Sequence, residues 1–237
     1  MLALTLVALA ACGPKQTPLS QLGPEELWLR GIEEYNDGEW DDAIRYFERF
    51  TSAGGADPRV HQARYYIAHA NFNEERYVTA ATEFARLSGD LGRAELADDA
   101  RFMACRAYEE LAPGPRLDQE YTRAAIDHCR ALLEYFPDTD HAVAANAIIE
   151  RMRNRLAEKV FLGGEWYYRR RAYDSAIVYF DDVAEQFPGT RWAPRALKRL
   201  VDIYDTLDYD EEGQEARERL LRDYPDSPEA RALAPGS

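Results

Sequence analysis

Histidine side chains are common acid–base and metal-binding groups, and the four in this sequence stand apart from one another. They are His61, His69, His128 and His141. No His-Glu-x-x-His, Gly-x-Ser-x-Gly or phosphate-loop motif occurs. We therefore expect no metal, no cofactor and no catalytic site, so the protein should not be an enzyme. Each histidine is expected to lie on the surface or along a groove.

Cys12 is the one side chain for which the sequence does predict chemistry. It follows an eleven-residue apolar run, which is too short to span a bilayer and suits the hydrophobic region of a signal peptide. The run ends in Leu9-Ala10-Ala11 before Cys12-Gly13, and this resembles the lipobox of bacterial lipoproteins. The resemblance implies a signal peptide over residues 1–11, attachment of lipid (palmitate included) at Cys12, and a lipidated tether over residues 12–23.

Gly13 bears on the destination of such a lipoprotein. An aspartate after the cysteine would indicate retention in the inner membrane, so Gly13 favours the periplasmic face of the outer membrane. No Lys or Arg precedes the apolar run, which leaves open a start further upstream. A buried N-terminal strand with a chance cysteine is the alternative interpretation.

The charge balance restricts the partners. The chain has 29 basic and 43 acidic residues and a net charge of −14. This excludes nucleic acid and argues against anionic lipid held by the protein surface, since both need a basic footprint. The acidity itself is expected to be a solvated surface.

The elements that position these residues repeat along the chain. A small residue is followed four positions later by an aromatic one, as in Gly31 and Tyr35 or Gly164 and Tyr168. After a turn come a further small residue and further aromatics. A spacing of four puts both residues on one helix face, where small side chains allow helices to cross closely. Such a helix-turn-helix unit must stack to bury its apolar face.

The pattern resembles the tetratricopeptide repeat. It implies an all-α fold, a superhelix of about five helix-turn-helix units over residues 24–232. We expect the repeats at about 24–52, 58–88, 94–136, 140–187 and 191–224, and a frayed tail at 233–237.

One unusually long helix is predicted to open the fourth repeat. No proline lies between Asp140 and Pro188. We expect Asp140 to cap this helix, which should run about thirty residues, to roughly Arg170. A second helix from about Tyr173 to Gln186 should follow. Gly163 and Gly164 inside the helical pattern indicate close helix packing.

Cys105 and Cys129 are predicted to be free thiols, although a periplasmic location permits a disulfide. In the repeat alignment Cys105 falls on the concave side of its helix, and Cys129 takes a buried aromatic position of the next helix. Their Cβ vectors should then diverge, which a disulfide does not tolerate.

Recognition surfaces remain as the candidate sites. In the repeat that the chain resembles, certain first-helix positions line the concave side, and an aromatic groove with amides there would suit an extended peptide. The alternative is that part of this set is core between repeats. The residues are Trp28, Ile32, Tyr35, Asn36, Tyr65, His69, Phe72 and Asn73.

Arg169, Arg170 and Arg171 form the densest basic run of this acidic chain. They could bind carboxylates of a partner. As the end of a helix, the run could instead only complement the helix dipole.

A set of four sequence segments carries a more specific resemblance. It comprises Arg155-Leu156-Ala157-Glu158, Glu165-Trp166-Tyr167, Arg170-Arg171-Ala172-Tyr173 and Phe187-Pro188-Gly189-Thr190. Together with the lipobox and the repeats, it resembles the BamD family, the lipoproteins of the outer-membrane β-barrel assembly machine. The chain departs from that family at Arg171, where glycine is common, and at Gly163-Gly164.

The resemblance implies a non-enzymatic scaffold for outer-membrane protein assembly. Its N-terminal repeats would hold segments of unfolded outer-membrane proteins. Its C-terminal repeats would contact the periplasmic domains of a BamA-like barrel insertase, beside other lipoproteins of the machine. The alternative is another tetratricopeptide lipoprotein, such as a pilotin for a pilus secretin or a cell-division coordinator, although those arrays usually lack the long helix. An enzyme whose catalytic domain lies elsewhere has no support in these residues.

Overall fold

The computed structural model describes residues 18–92 and 96–233, and all regular structure in these ranges is helical. The predicted all-α tetratricopeptide fold is confirmed. After a short 3₁₀ turn at Leu19–Gln21, the helices are α1 (Pro24–Asp37), α2 (Trp40–Ala53), α3 (Val60–Asn73), α4 (Tyr77–Leu91), α5 (Ala97–Leu111), α6 (Glu120–Tyr135), α7 (Ala142–Tyr168), α8 (Tyr173–Gln186), α9 (Trp192–Leu207), α10 (Asp210–Asp223) and α11 (Pro228–Arg231).

The predicted signal peptide, Cys12 and most of the tether lie outside the described residues, as does nearly all of the predicted tail. Within the described ranges, no helix is long and apolar enough to cross a bilayer. The same residues contain no group of three or more His, Cys, Asp or Glu side chains that could hold a metal ion.

The chain divides into two compact units. Unit 1 comprises residues 1–74 and contributes α1 to α3, and unit 2 comprises residues 75–237 and contributes α4 to α11. The division falls between α3 and α4, inside the second predicted repeat.

Unit 1 is built on a close crossing of α1 and α2. The helices are joined at Gly38, whose φ of 79° is the left-handed conformation that glycine adopts without strain. Gly31 of α1 faces the ring of Phe47 on α2, and a Cβ at Gly31 would lie 2.7 Å from that ring. Leu27 and Phe50 complete the buried centre, against which α3 packs through Ala63.

Unit 2 is a succession of neighbouring helices, each packed on the next from α4 to α10. Its α7–α8 pair repeats the crossing of unit 1, because a Cβ at Gly164 would lie 2.7 Å from the ring of Phe180. Gly163 faces Tyr179 at the same distance. The close packing predicted for the two glycines is thus confirmed.

The long helix is confirmed as α7, which has 27 residues from Ala142 to Tyr168. The expectation that Asp140 caps it is wrong. The N-cap residue is His141, and it makes no side-chain cap. The Thr139 hydroxyl accepts from the His141 backbone N–H at 3.3 Å, and the imidazole of His141 lies 2.6 Å from Asp99. This places Asp140 one residue before the cap, outside the helix.

The prediction of free thiols is also wrong. Cys105 of α5 and Cys129 of α6 form a disulfide, with their Cα atoms 5.1 Å apart. Both are fully buried in a cluster with Ala125 and Leu132. Cys105 lies on the face of α5 that packs against α6 and not on the concave side, so the two side chains meet.

Removing this disulfide should destabilise the protein. The bond closes a sequence separation of 24 residues, and a cross-link over a loop of this length contributes about 3 kcal/mol. Urea denaturation should show a loss of that size for Cys105→Ala/Cys129→Ala. Alkylation of denatured, unreduced protein carrying Cys12→Ser provides the check on the bond, because modification of both cysteines would contradict it.

Arg171 offers a test in the opposite direction. Its φ is 58°, in the left-handed region, where a residue with a Cβ is strained by about 1 kcal/mol or more. Arg171→Gly should therefore raise the free energy of unfolding by about 1 kcal/mol, measured by urea denaturation. The matched control, Arg170→Gly at the preceding position, should lower it. Equal losses in both variants would show that the strain at Arg171 is not a determinant of stability.

Candidate peptide groove and cationic surface

The predicted groove residues all lie in unit 1. Helix α1 carries Trp28, Ile32, Tyr35 and Asn36, and α3 carries Tyr65, His69, Phe72 and Asn73. Within this unit α1 and α3 are in contact.

Trp28 is largely a core residue. Its indole lies edge-on to Phe47, with ring centres 5.7 Å apart, and 5.3 Å from Phe50. The guanidinium of Arg59 lies 5.3 Å from the centre of the same indole. Ile32 also packs against this cluster. These two side chains therefore pack mainly against the core beneath the groove, and a ligand would contact them less than the other groove residues.

Tyr35 is fixed by a contact between α1 and α3. Its hydroxyl lies 2.8 Å from Nδ1 of His69. Its ring centre is 4.7 Å from that of Tyr66 and 5.4 Å from that of Trp40. Burial, with a smaller effect of Tyr66, raises the pKa of Tyr35 to about 12. The hydroxyl therefore stays protonated at neutral pH and donates to the imidazole.

The Asn73 amide approaches the same ring nitrogen. Its Nδ2 lies 2.8 Å from Nδ1 of His69 and donates to the His69 carbonyl at 2.9 Å. An amide nitrogen only donates, so Nδ1 accepts, its single lone pair is shared by the Asn73 amide and the Tyr35 hydroxyl, and the proton of a neutral ring lies on Nε2. Asn36 and Asn73 are both exposed, and Asn73 is hydrogen-bonded within its own helix.

Tyr65 and Phe72 are the half-buried aromatic groove residues of α3. The Tyr65 ring lies within 21° of parallel to the imidazole of His69, with centres 6.3 Å apart. The structure thus brings Tyr35, Tyr65 and His69 into one aromatic cluster.

Two further members of this cluster, Trp40 and Tyr66, were not among the predicted groove residues. Trp40 starts α2 and contacts both Tyr35 and His69. It occupies the aromatic position after the turn that the repeat also has at Tyr173, so the alignment could have found it. Tyr66 precedes Asn73 by two helical turns, and this spacing places it on the same helix face.

The three arginines predicted to bind a partner are exposed at the end of α7 in unit 2. Arg170 stacks on Trp166, with its guanidinium carbon 3.6 Å from the ring centre, and donates to the Trp166 carbonyl at 3.0 Å. Arg169 lies 3.7 Å from the buried carboxylate of Glu165, which Arg199 holds at 2.5 Å. The guanidinium of Arg170 therefore stacks on an aromatic ring and forms no ion pair with a carboxylate of the described residues.

A groove of about 810 Å³ runs beside Trp166, with walls from α6, α7, α8 and the α5–α6 loop. We call it the cationic groove. Its basic lining residues are Arg116, Arg123, Lys159, Arg169 and Arg170. Glu165 is the acidic residue among the lining side chains, and its charge is already offset by Arg199.

The loop wall of this groove is fastened to α7. Arg155 donates to the Ala112 carbonyl at 2.5 Å, and Lys159 donates to the Leu117 carbonyl at 2.6 Å. The buried Gln119 also donates to the carbonyls of Gly114 and Leu117. The longer turn between the helices of the third repeat is therefore an ordered wall.

Comparison with known proteins now adds the family. A family model described as YfiO, an outer membrane lipoprotein, matches residues 20–220. The chain belongs to this family. The match spans both units, so the aromatic cluster of unit 1 and the cationic groove of unit 2 lie within the YfiO region.

Curated relatives of this YfiO chain are named outer membrane protein assembly factor BamD. That of Caulobacter vibrioides is 25% identical over 215 residues, which cover 90% of this chain and 70% of the relative. That of Vibrio cholerae is 24% identical over 219 residues, covering 86% and 89%. The resemblance to the BamD family seen in the sequence is confirmed.

A solved structure, the TPR2AB domain of yeast Sti1 in complex with pHSP90, is also similar. It has a TM-score of 0.47 and 14% identity, and the match covers 87% of this chain and 80% of that one. The helix pairing within each unit shows the fold independently of this similarity.

Proposed function

We propose that this protein is an outer-membrane protein assembly factor that acts as a scaffold lipoprotein without catalytic activity of its own. The observation that carries the proposal is the YfiO family match over residues 20–220, together with relatives named BamD. The match favours this function over the pilotin and cell-division alternatives.

Unit 1 is proposed to bind segments of unfolded outer-membrane proteins. Its aromatic cluster offers π-faces and apolar walls for alternating side chains of an extended peptide. Tyr65 and Phe72 supply half-buried aromatic surface, and the exposed amide of Asn36 is available to a peptide backbone. Tyr35 and Asn73, which are tied to His69, hold the shape of the groove.

Unit 2 is proposed to bind the periplasmic part of a BamA-like insertase. The exposed arginines at the end of α7 and the neighbouring cationic groove supply charge and one large apolar surface, Trp166. Binding to two different units allows client and insertase to be held at the same time.

The variant Tyr65→Ala/Phe72→Ala tests the client site. Loss of two aromatic side chains from a peptide groove should weaken binding at least about tenfold. The measurement is fluorescence anisotropy with a labelled C-terminal peptide of an outer-membrane protein. Tyr135→Ala removes a half-exposed aromatic residue from unit 2 and is the matched control.

Circular dichroism melting should confirm that the unit 1 variant remains folded. A folded double variant that binds the peptide as tightly as the control would refute the groove assignment. Co-purification of the insertase should be unchanged in the same variant, because its proposed site lies in unit 2.

The lipid anchor at Cys12 gives an independent prediction. Several acyl chains on one cysteine anchor a protein firmly, whereas the polypeptide has no other proposed membrane contact. Cys12→Ala should therefore move the protein from the membrane pellet to the soluble periplasmic fraction. Cys12→Ala protein that still pellets after a high-salt wash, in cells lacking the insertase, would contradict lipid anchoring.

A further inference from the structure

The cationic groove continues along α6 into a second recess of about 280 Å³. The two share the lining residues Arg123, Leu156 and Phe187. Arg130 and Arg153 line the second recess, together with one carboxylate, Asp127. The extended groove is therefore strongly basic on a chain whose net charge is −14.

Most of these cations have no carboxylate to neutralise them. In the described part of the chain, no carboxylate forms an ion pair with Arg116, Arg123, Arg130, Arg153, Lys159 or Arg170. Lys159 and Arg153 donate to the carbonyls of Leu117 and Gln186 instead. A bond to a carbonyl positions the cation but leaves its net charge in place.

Arginines elsewhere in unit 2 show the contrast. Arg151 pairs with Glu109 at 2.7 Å, and Arg217 pairs with Asp205 at 3.2 Å. The chain has more acidic than basic residues, so carboxylates are numerous enough to pair with its arginines. A row of cations without carboxylate partners is therefore a feature of this groove.

Three aromatic residues, Trp166, Tyr179 and Phe187, line the groove among these cations. Trp166 is half exposed, with Arg170 stacked on it. Phe187 lies at the junction of the two recesses, with the guanidinium carbon of Arg153 6.0 Å from its ring centre. A ligand of this groove therefore needs negative charges spaced along its length and an apolar side chain between them.

We propose that the cationic groove of unit 2 binds an extended acidic peptide segment of a partner protein, with an apolar or aromatic side chain of that segment seated against Trp166. This names the chemistry of the partner in the proposed function and rests on the partner-binding role of unit 2. Carboxylates of the segment meet Arg123, Arg130 and Arg170 in charge-assisted hydrogen bonds.

A peptide fits this groove better than the other polyanions do. Nucleic acid and an anionic bilayer present a large field of negative charge, which the net charge of −14 repels. A short acidic segment carries few charges and enters the groove locally. Salt screens charges over a Debye length of about 10 Å, so such a segment interacts mainly with the cations that line the groove.

The test uses purified full-length protein and a fluorescein-labelled peptide in which glutamates alternate with serine around one central tryptophan. Anisotropy should show saturable binding that weakens at least about tenfold when salt is raised well above the physiological level. Arg123→Gln/Arg130→Gln should weaken binding at least about tenfold. The control Arg217→Gln/Arg222→Gln, with the same change of net charge on α10, should bind as the wild type does.

A double-mutant cycle tests the apolar seat. Trp166→Ala should weaken binding of the tryptophan peptide. Binding of a matched peptide with alanine in place of the tryptophan should be unchanged by the same substitution. The same peptide with glutamine for glutamate should not bind. Equal binding of the glutamine peptide, equal loss in both arginine pairs, or binding of phosphatidylglycerol vesicles without binding of the peptide would each overturn the proposal.

The result is separable from the proposed function. A failure of acidic-peptide binding while the chain still co-purifies with the insertase rejects the groove alone. If the wild-type protein neither co-purifies with the insertase nor binds the client peptide, the assembly-factor function is rejected.

Discussion

A phenyl ring packed directly on a helix backbone is the contact on which this fold depends. In unit 1 the ring of Phe47 occupies the space where a Cβ of Gly31 would lie, and in unit 2 Phe180 does the same at Gly164. Any side chain at these glycines would push the two helices apart, because a ring locked in a packed core has little room to move. The close crossing in turn fixes where the neighbouring aromatic residues emerge.

The same contact explains the glycine pair in α7. The departure from the family pattern at Gly163-Gly164 places two adjacent glycines under two adjacent rings, Tyr179 and Phe180. Phe180 is buried in the core, whereas Tyr179 lines the cationic groove. One close helix crossing thus builds both the core of this pair and a wall of the proposed partner site.

Local pattern was enough to predict the helices. The limits of α8, Tyr173–Gln186, coincide with those expected from the turn before it and the Phe187-Pro188-Gly189 stop after it. The long α7 followed from an apolar helical period with no proline. The small and aromatic positions of the repeat also located the Gly31–Phe47 and Gly164–Phe180 crossings, since these recur at one spacing.

Properties that depend on the rotation of a helix about its axis were not predictable in this way. The disulfide of Cys105 and Cys129 depends on which face of α5 packs against α6, and the repeat alignment assigned Cys105 to the wrong face. Likewise, the groove residues of unit 1 were predicted from their residue types and their positions in the repeat. It could not show that Asn73 is engaged by its own helix or that Trp28 lies against the core. Such assignments depend on tertiary contacts that a single sequence does not encode locally.

The length of α7 explains why the cationic groove exists at all. A helix of 27 residues spans about 40 Å, so it packs against α5, α6, α8 and α9 and extends past the ends of shorter neighbours. Its residues both fasten the loop wall, through Arg155 and Lys159, and carry Arg153, Trp166 and Arg170 into the groove. A fourth-repeat helix of ordinary length would end before Trp166 and leave that wall without support. The unusual helix and the unpaired cations are therefore parts of one surface, which the sequence showed only as separate features.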